Sequence, residues 1–148
     1  MRNRSPLVLM EQVVMVLVFA LAAALCLQVF ALADKTSRHS EEVDRAVQAC
    51  QSAAEALKAA GGDVAHAQQA AAARMGGAVE DGLWYVLYNE EWKPVGGVDE
   101  AAYALYVRGA AEQTDGLAKA DVRMEACDAD GGELFSLTVA WQEVNGDG

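Results

Sequence analysis

Hydrophobic and polar positions divide this chain into three regimes. From Leu7 to Ala33 almost every position is apolar, and the exceptions with hydrogen-bonding or ionisable side chains are Glu11, Gln12, Cys26 and Gln28. As a helix this run is about 40 Å long, at ~1.5 Å per residue, which exceeds the ~30 Å hydrocarbon core of a bilayer. The second regime starts at Val43. Val43, Ala46, Cys50, Ala53, Leu57 and Ala60 recur at alternating spacings of three and four, one stripe of a helix that Val47 and Ala54 widen. Glu41, Glu42, Asp44, Arg45, Gln48, Gln51, Glu55 and Lys58 take the opposite face, and Gly61-Gly62 ends the helix. Asp63 caps a shorter helix over Val64–Met75, closed by Gly76-Gly77, with a weak apolar face that suits a surface helix or a connector.

The period changes from helical to two at Gly82. Leu83–Tyr88 is aromatic and β-branched, Asn89-Glu90-Glu91 turns, and Trp92–Val95 returns as a strand that Pro94 assigns to an edge. Ala102–Arg108 alternates Tyr103, Leu105 and Val107 with Ala104, Tyr106 and Arg108. Ala118–Ala126 and Phe135–Gln142 alternate as a hairpin around Asp128–Gly132, and the tail Asn145–Gly148 is expected to fray. The predicted fold is α+β, with the helix stripe laid on the apolar face of a small antiparallel sheet. The organisation is a short basic leader over 1–6, a transmembrane helix over 7–33, an amphipathic helix over 34–62, and a short helix with the sheet over 63–148. Ser40 before two glutamates can cap a fresh helix, so both a break near 34–40 and one continuous helix are open.

Charge sharpens this picture. The net charge of −11 falls entirely after residue 33, because Arg2, Arg4 and Glu11 leave the first segment positive. An acidic exterior argues against direct binding of nucleic acid or anionic lipid. Arg2 and Arg4 before the apolar run place the N-terminus in the cytoplasm and the remaining domain across the membrane. Cys50 and Cys127 then share an oxidising side, so a disulfide between them can be drawn, while Cys26 suits packing in the span.

Candidate chemistry is sparse. Asp128, Asp130 and Glu133 on a glycine-rich turn offer oxygen ligands for calcium, against the ordinary use of Asp and Gly in hairpin turns. Trp84, Tyr85, Tyr88 and Trp92 form either a binding platform or the core beneath the sheet. No nucleophile–base pairing, phosphate loop, carboxylate pair or zinc spacing stands out, so neither an enzyme nor a bound cofactor is expected, and His39 and His66 have no ligand-like neighbours.

Three readings of the N-terminus compete. Ala31-Leu32-Ala33 before Asp34 has the form of a signal-peptidase site, although the apolar run is much longer than a secretory core of ~7–15 residues. A plain single-span anchor lets Glu11 reach the nearby interface. In the third, Leu7-Val8-Leu9-Met10-Glu11 and the apolar helix behind it resemble the start of type IV pilins and pseudopilins. Members of that family have a short basic leader, then a hydrophobic first mature residue, a glutamate at the fifth place and a long apolar helix. Counting from Leu7, Glu11 holds that place. One position departs, since Pro6 stands where the family carries glycine before the cut, and its ring restricts the backbone at the Pro6–Leu7 junction. Retention of the leader and cleavage by a tolerant peptidase are both open. The resemblance implies a membrane-resident subunit of a pilus, type II secretion or competence-type machine. Its expected partners are the lipid bilayer, like subunits, other pilin-like proteins and a prepilin peptidase. It implies an assembly role for Glu11, which in the family is thought to meet a neighbour's N-terminal amine. A membrane-tethered binding module unrelated to pili is the competing class.

Overall fold

The computed structural model describes residues 5–112, 114–128 and 131–143. The proposed fraying of 145–148 lies outside them, as do Arg2 and Arg4. The helix α1 runs over Ser5–Ala60, through the polar stretch 34–40. There Thr36 donates its hydroxyl back to the Leu32 carbonyl at 2.9 Å, and Arg38 pairs with Asp34 one turn away at 3.0 Å. The Asp34–Arg38 pair supports the helix here, where no apolar face does, and the Thr36 hydroxyl is satisfied within its own turn. The chain divides into two units between Glu41 and Glu42.

The unit beginning at Glu42 is α+β, as the periodicities predict. After α1 come α2 (Val64–Met75), β1 (Ala78–Glu80), β2 (Leu83–Tyr88), β3 (Pro94–Val95), a 3-10 turn at Val98–Glu100, β4 (Tyr103–Gly109), β5 (Leu117–Ala126) and β6 (Glu133–Gln142). All strands are antiparallel, in the order β1-β2-β4-β5-β6, with β3 alongside β2. Rows of cross-strand partners such as Trp84–Val107–Val122–Leu137 and Val86–Leu105–Met124–Phe135 make one apolar face. Onto it the α1 stripe packs Ala46, Cys50, Ala53 and Leu57, all fully buried. Small residues at three of these four places let the helix backbone come close to the large side chains of the sheet.

The sequence expectation misjudged three elements. α2 is no mere surface connector: Ala67, Gln68 and Ala71 are buried in the same core. Gln68 donates its amide to the carbonyls of Gly82 at 3.0 Å and Val107 at 2.9 Å, so a polar residue cross-links helix and sheet. β1 has no expected counterpart; Asp81-Gly82, both with positive φ, turns it into β2. The returning strand at 92–95 shrinks to Pro94–Val95, because Asn89 Oδ1 accepts from the amides of Glu91 and Lys93 and folds 89–93 into a compact turn.

Two indoles tie the corners after α1 and after α2 to the sheet. Trp141 Nε1–H donates to the Gly62 carbonyl at 2.8 Å, and Trp84 Nε1–H to that of Gly76 at 3.0 Å. Gly77 is the tightest point, with φ +86° and an added Cβ falling 2.1 Å from the Tyr85 carbonyl oxygen. Gly77→Ala is therefore expected to destabilise this unit by roughly 2 kcal/mol or more. Gly96→Ala, in open space, should stay within about 0.5 kcal/mol of the parent. Urea unfolding of the detergent-solubilised chain, followed by tryptophan fluorescence, measures both.

Candidate functional site

Glu11 lies on α1 in the N-terminal unit, four residues after Leu7, so the two share a helix face about 6 Å apart along the axis. The large apolar side chains from Leu7 to Leu32 are all exposed, from Val14 at 51% to Phe19 at 76%. Mean hydropathy reaches 2.8 in an 18-residue window of which nothing is buried, which makes α1 long and apolar enough to cross a membrane. Glu11 is exposed and makes no hydrogen bond or ion pair with any described residue. Leu7, Val8, Met10, Val14 and Met15 surround it. A lone carboxylate in such a setting is tolerable in water or at a lipid interface. In an apolar interior it needs a counter-charge or a proton. Pro6 and Leu7 lie in the first turn of α1, where the fixed φ of proline suits a helix start.

The candidate bridge between Cys50 and Cys127 is not formed; both thiols are free. Cys50 is fully buried on the α1 side of the sheet. Cys127 is exposed just beyond β5, close to Tyr106 and Glu125 on the opposite side. With the sheet between them the thiols cannot meet. Burial, with a smaller contribution from Glu133, pushes the Cys50 thiol up to about 12.

The aromatic group Trp84, Tyr85, Tyr88 and Trp92 is split. Trp84 and Tyr88 are buried in the core, while Tyr85 is half-buried on the other face with its hydroxyl 3.5 Å from Glu80 Oε1. Trp92, held at φ 59°, stacks on Tyr103 with centroids 4.1 Å apart and planes 15° from parallel. Tyr103 in turn donates to Glu42 Oε1 at 3.2 Å. Burial first, then the Glu42 charge and this hydrogen bond, push the Tyr103 phenol up to about 12. These contacts staple the start of the α1 stripe to β4, and rings stacked this closely leave no slot between them for a ligand.

Ala129 and Asp130 of the proposed calcium turn lie outside the described residues. Among the described residues no three His, Cys, Asp or Glu side chains converge to hold a metal ion. The His66 backbone amide donates to Asp63, so that stretch acts as a helix cap. Gln68 and the Tyr103–Glu42 link were not anticipated from sequence. Each depends on tertiary neighbours 39 and 61 positions away, and no local pattern encodes them.

The buried thiol gives stability a definite pH dependence. Folded Cys50 keeps its proton to about pH 12, whereas the thiol of the unfolded chain, at its ordinary value of 9.0, loses it earlier. The folded state binds more protons in that window, so stability is complete below pH 9 and falls as pH rises from 9 towards 12. The expected slope from this group approaches about 1.4 kcal/mol per pH unit, and Cys50→Ala should flatten it. In the folded chain maleimide should modify Cys127 and spare Cys50 until denaturant is added, as peptide mass mapping will show. Comparison of the chain with protein-family models, curated proteins and solved structures returns no match, so the functional reading rests on the residues and geometry above.

Proposed function

We propose that the chain is a membrane-anchored, pilin-like subunit: a minor pilin or pseudopilin of a type IV pilus, type II secretion or competence-type assembly. The observation that carries this reading is an apolar helical surface from Leu7 to Leu32, uncovered by anything in its own unit and interrupted by the single carboxylate of Glu11. The order of elements supports it, since the same helix continues to Ala60 and supplies the stripe that packs on an antiparallel sheet. In this reading the bilayer covers the apolar helix while the subunit waits, with Arg2 and Arg4 on the cytoplasmic side and the acidic domain outside. On extraction, helices of neighbouring subunits replace lipid as the apolar cover.

Glu11 then acts as the registering group. Burial among neighbouring helices is unfavourable for an unpaired carboxylate, so only arrangements that bring it a positive charge or a proton are stable. If the leader is removed, the amine of Leu7 on a neighbour supplies the charge. If Pro6 preserves the leader, Arg2 or Arg4 of a neighbour, or protonation, takes that part.

Glu11→Ala is expected to leave the chain in the membrane fraction and to reduce incorporation into assemblies at least tenfold, measured by shear release and by crosslinking between subunits. Unchanged incorporation would favour the tethered binding module. Glu11→Gln separates the two forms of compensation: it keeps assembly if the carboxyl is buried protonated and loses it if a positive partner is required. Intact mass of the membrane-extracted protein reports the processing. A chain starting at Leu7 means peptidase cleavage, a full-length chain means a retained leader, and a chain starting at Asp34 removes the anchor and with it this proposal.

A further inference from the structure

The two edges of the sheet are built differently. On one side the edge is broken into β1, with three residues, and β3, with two, beside Pro94 and two Gly-Gly pairs. Such interruptions prevent another strand from pairing there. On the other side β6 presents ten residues, Glu133–Gln142, paired only with β5. From Phe135 to Gln142 this strand contains no charge, proline or glycine. Its register with β5 is unbroken from Leu117–Gln142 to Met124–Phe135, the one irregularity lying beyond that, at Met124/Glu125. A regular ladder on one side of a strand leaves equally regular outward N–H and C=O groups on the other. Among the described residues, Leu134–Trp141 make no backbone hydrogen bond except to β5.

The surroundings leave this edge open. α1 flanks it with Gln51, Ala54, Glu55 and Lys58, forming a groove of about 500 Å³ along Leu137–Ala140. Residues of both faces of β6 line the groove, so its floor is the strand edge itself. Ala54 and half-buried Leu137 give one wall an apolar character. Of the charges nearby, Glu55, Asp121 and Glu143 stand against Lys58 and Lys119, the latter opposite Ala140 on β5, and Arg123 is held by Glu125 and Glu133. The whole unit from Glu42 carries nineteen acidic and seven basic side chains.

We propose that β6 is a docking edge for an extended segment of another protein, one that alternates apolar and basic side chains. The segment adds a seventh strand by backbone pairing. Its apolar side chains lie over Ala54 and Leu137, and its basic ones answer the carboxylates at the rim. This inference is independent of Glu11 and of the pilin-like reading, since it concerns only the unit from Glu42 onward.

The test uses the full chain in detergent and three blocked eight-residue peptides: alternating valine and lysine, alternating valine and glutamate, and the valine–lysine peptide N-methylated along one strand edge. Amide hydrogen exchange is read by mass spectrometry. The valine–lysine peptide is expected to slow exchange at least tenfold within 134–142 and to leave 78–80 unchanged. The glutamate peptide and the N-methylated peptide should produce no such protection. Equal protection by the N-methylated peptide, or slowing spread over the acidic surface, would mean charge attraction alone and would overturn the proposal. So would absence of protection. Protection of 134–142 that grows with protein concentration without peptide would assign the edge to a second copy of the chain and overturn the stated occupant.

Discussion

The close approach of α1 to the sheet is the constraint on which the rest of the C-terminal unit depends. Ala46, Cys50 and Ala53 are small enough for the helix backbone to come near the sheet, and Leu57, the next position of the stripe, is fully buried with them. The opposing layer is made of large side chains, Trp84, Leu105, Val107, Val122 and Met124, all fully buried. Small against large lets the two layers interdigitate. It also leaves Cys50 in surroundings where its thiolate is strongly disfavoured, so the thiol acts as an apolar packing group.

Once α1 is seated, a few directed bonds determine where the remaining pieces go. The indole of Trp141 holds the Gly62 corner after α1, and that of Trp84 holds the Gly76 corner after α2. Gln68 satisfies the carbonyls of Gly82 in the β1–β2 turn and Val107 in β4, and Tyr103 reaches Glu42 at the start of the stripe. Apolar burial supplies most of the stability, but it has no direction. These polar contacts select one arrangement of the helices over others with similar buried area.

The two parts of α1 face different partners. From Glu42 onward its stripe is satisfied within its own unit. Before that, the large apolar side chains are exposed, and the pilin-like proposal accounts for them with lipid or like helices as their cover. The pilin-like proposal uses both: a domain that folds on its own stripe, and a helix whose uncovered surface and single carboxylate make it selective about what it meets. The open edge of β6 adds a distinct place for recognition on the domain.

The primary structure by itself determined the apolar span, the helix stripe at Ala46, Cys50, Ala53 and Leu57, and the alternation of β5 and β6, because each is a local periodicity set by backbone geometry. It also contained a signal that the period-two pattern hides: Asp81-Gly82 marks the β1–β2 turn, although the strand before it is only three residues long. Glu11 was legible as a candidate because one charge in a long apolar run is conspicuous in any context. Tertiary structure decided the rest. It turned α2 from a weakly amphipathic helix into a core element through Gln68, and it put Cys50 and Cys127 on opposite sides of the sheet. It split the aromatic group between two faces and left β6 unpaired at one edge. These outcomes depend on which side of a sheet a residue faces and on which strands end up at its margins. Contacts between distant positions settle both, and no short window of sequence contains them.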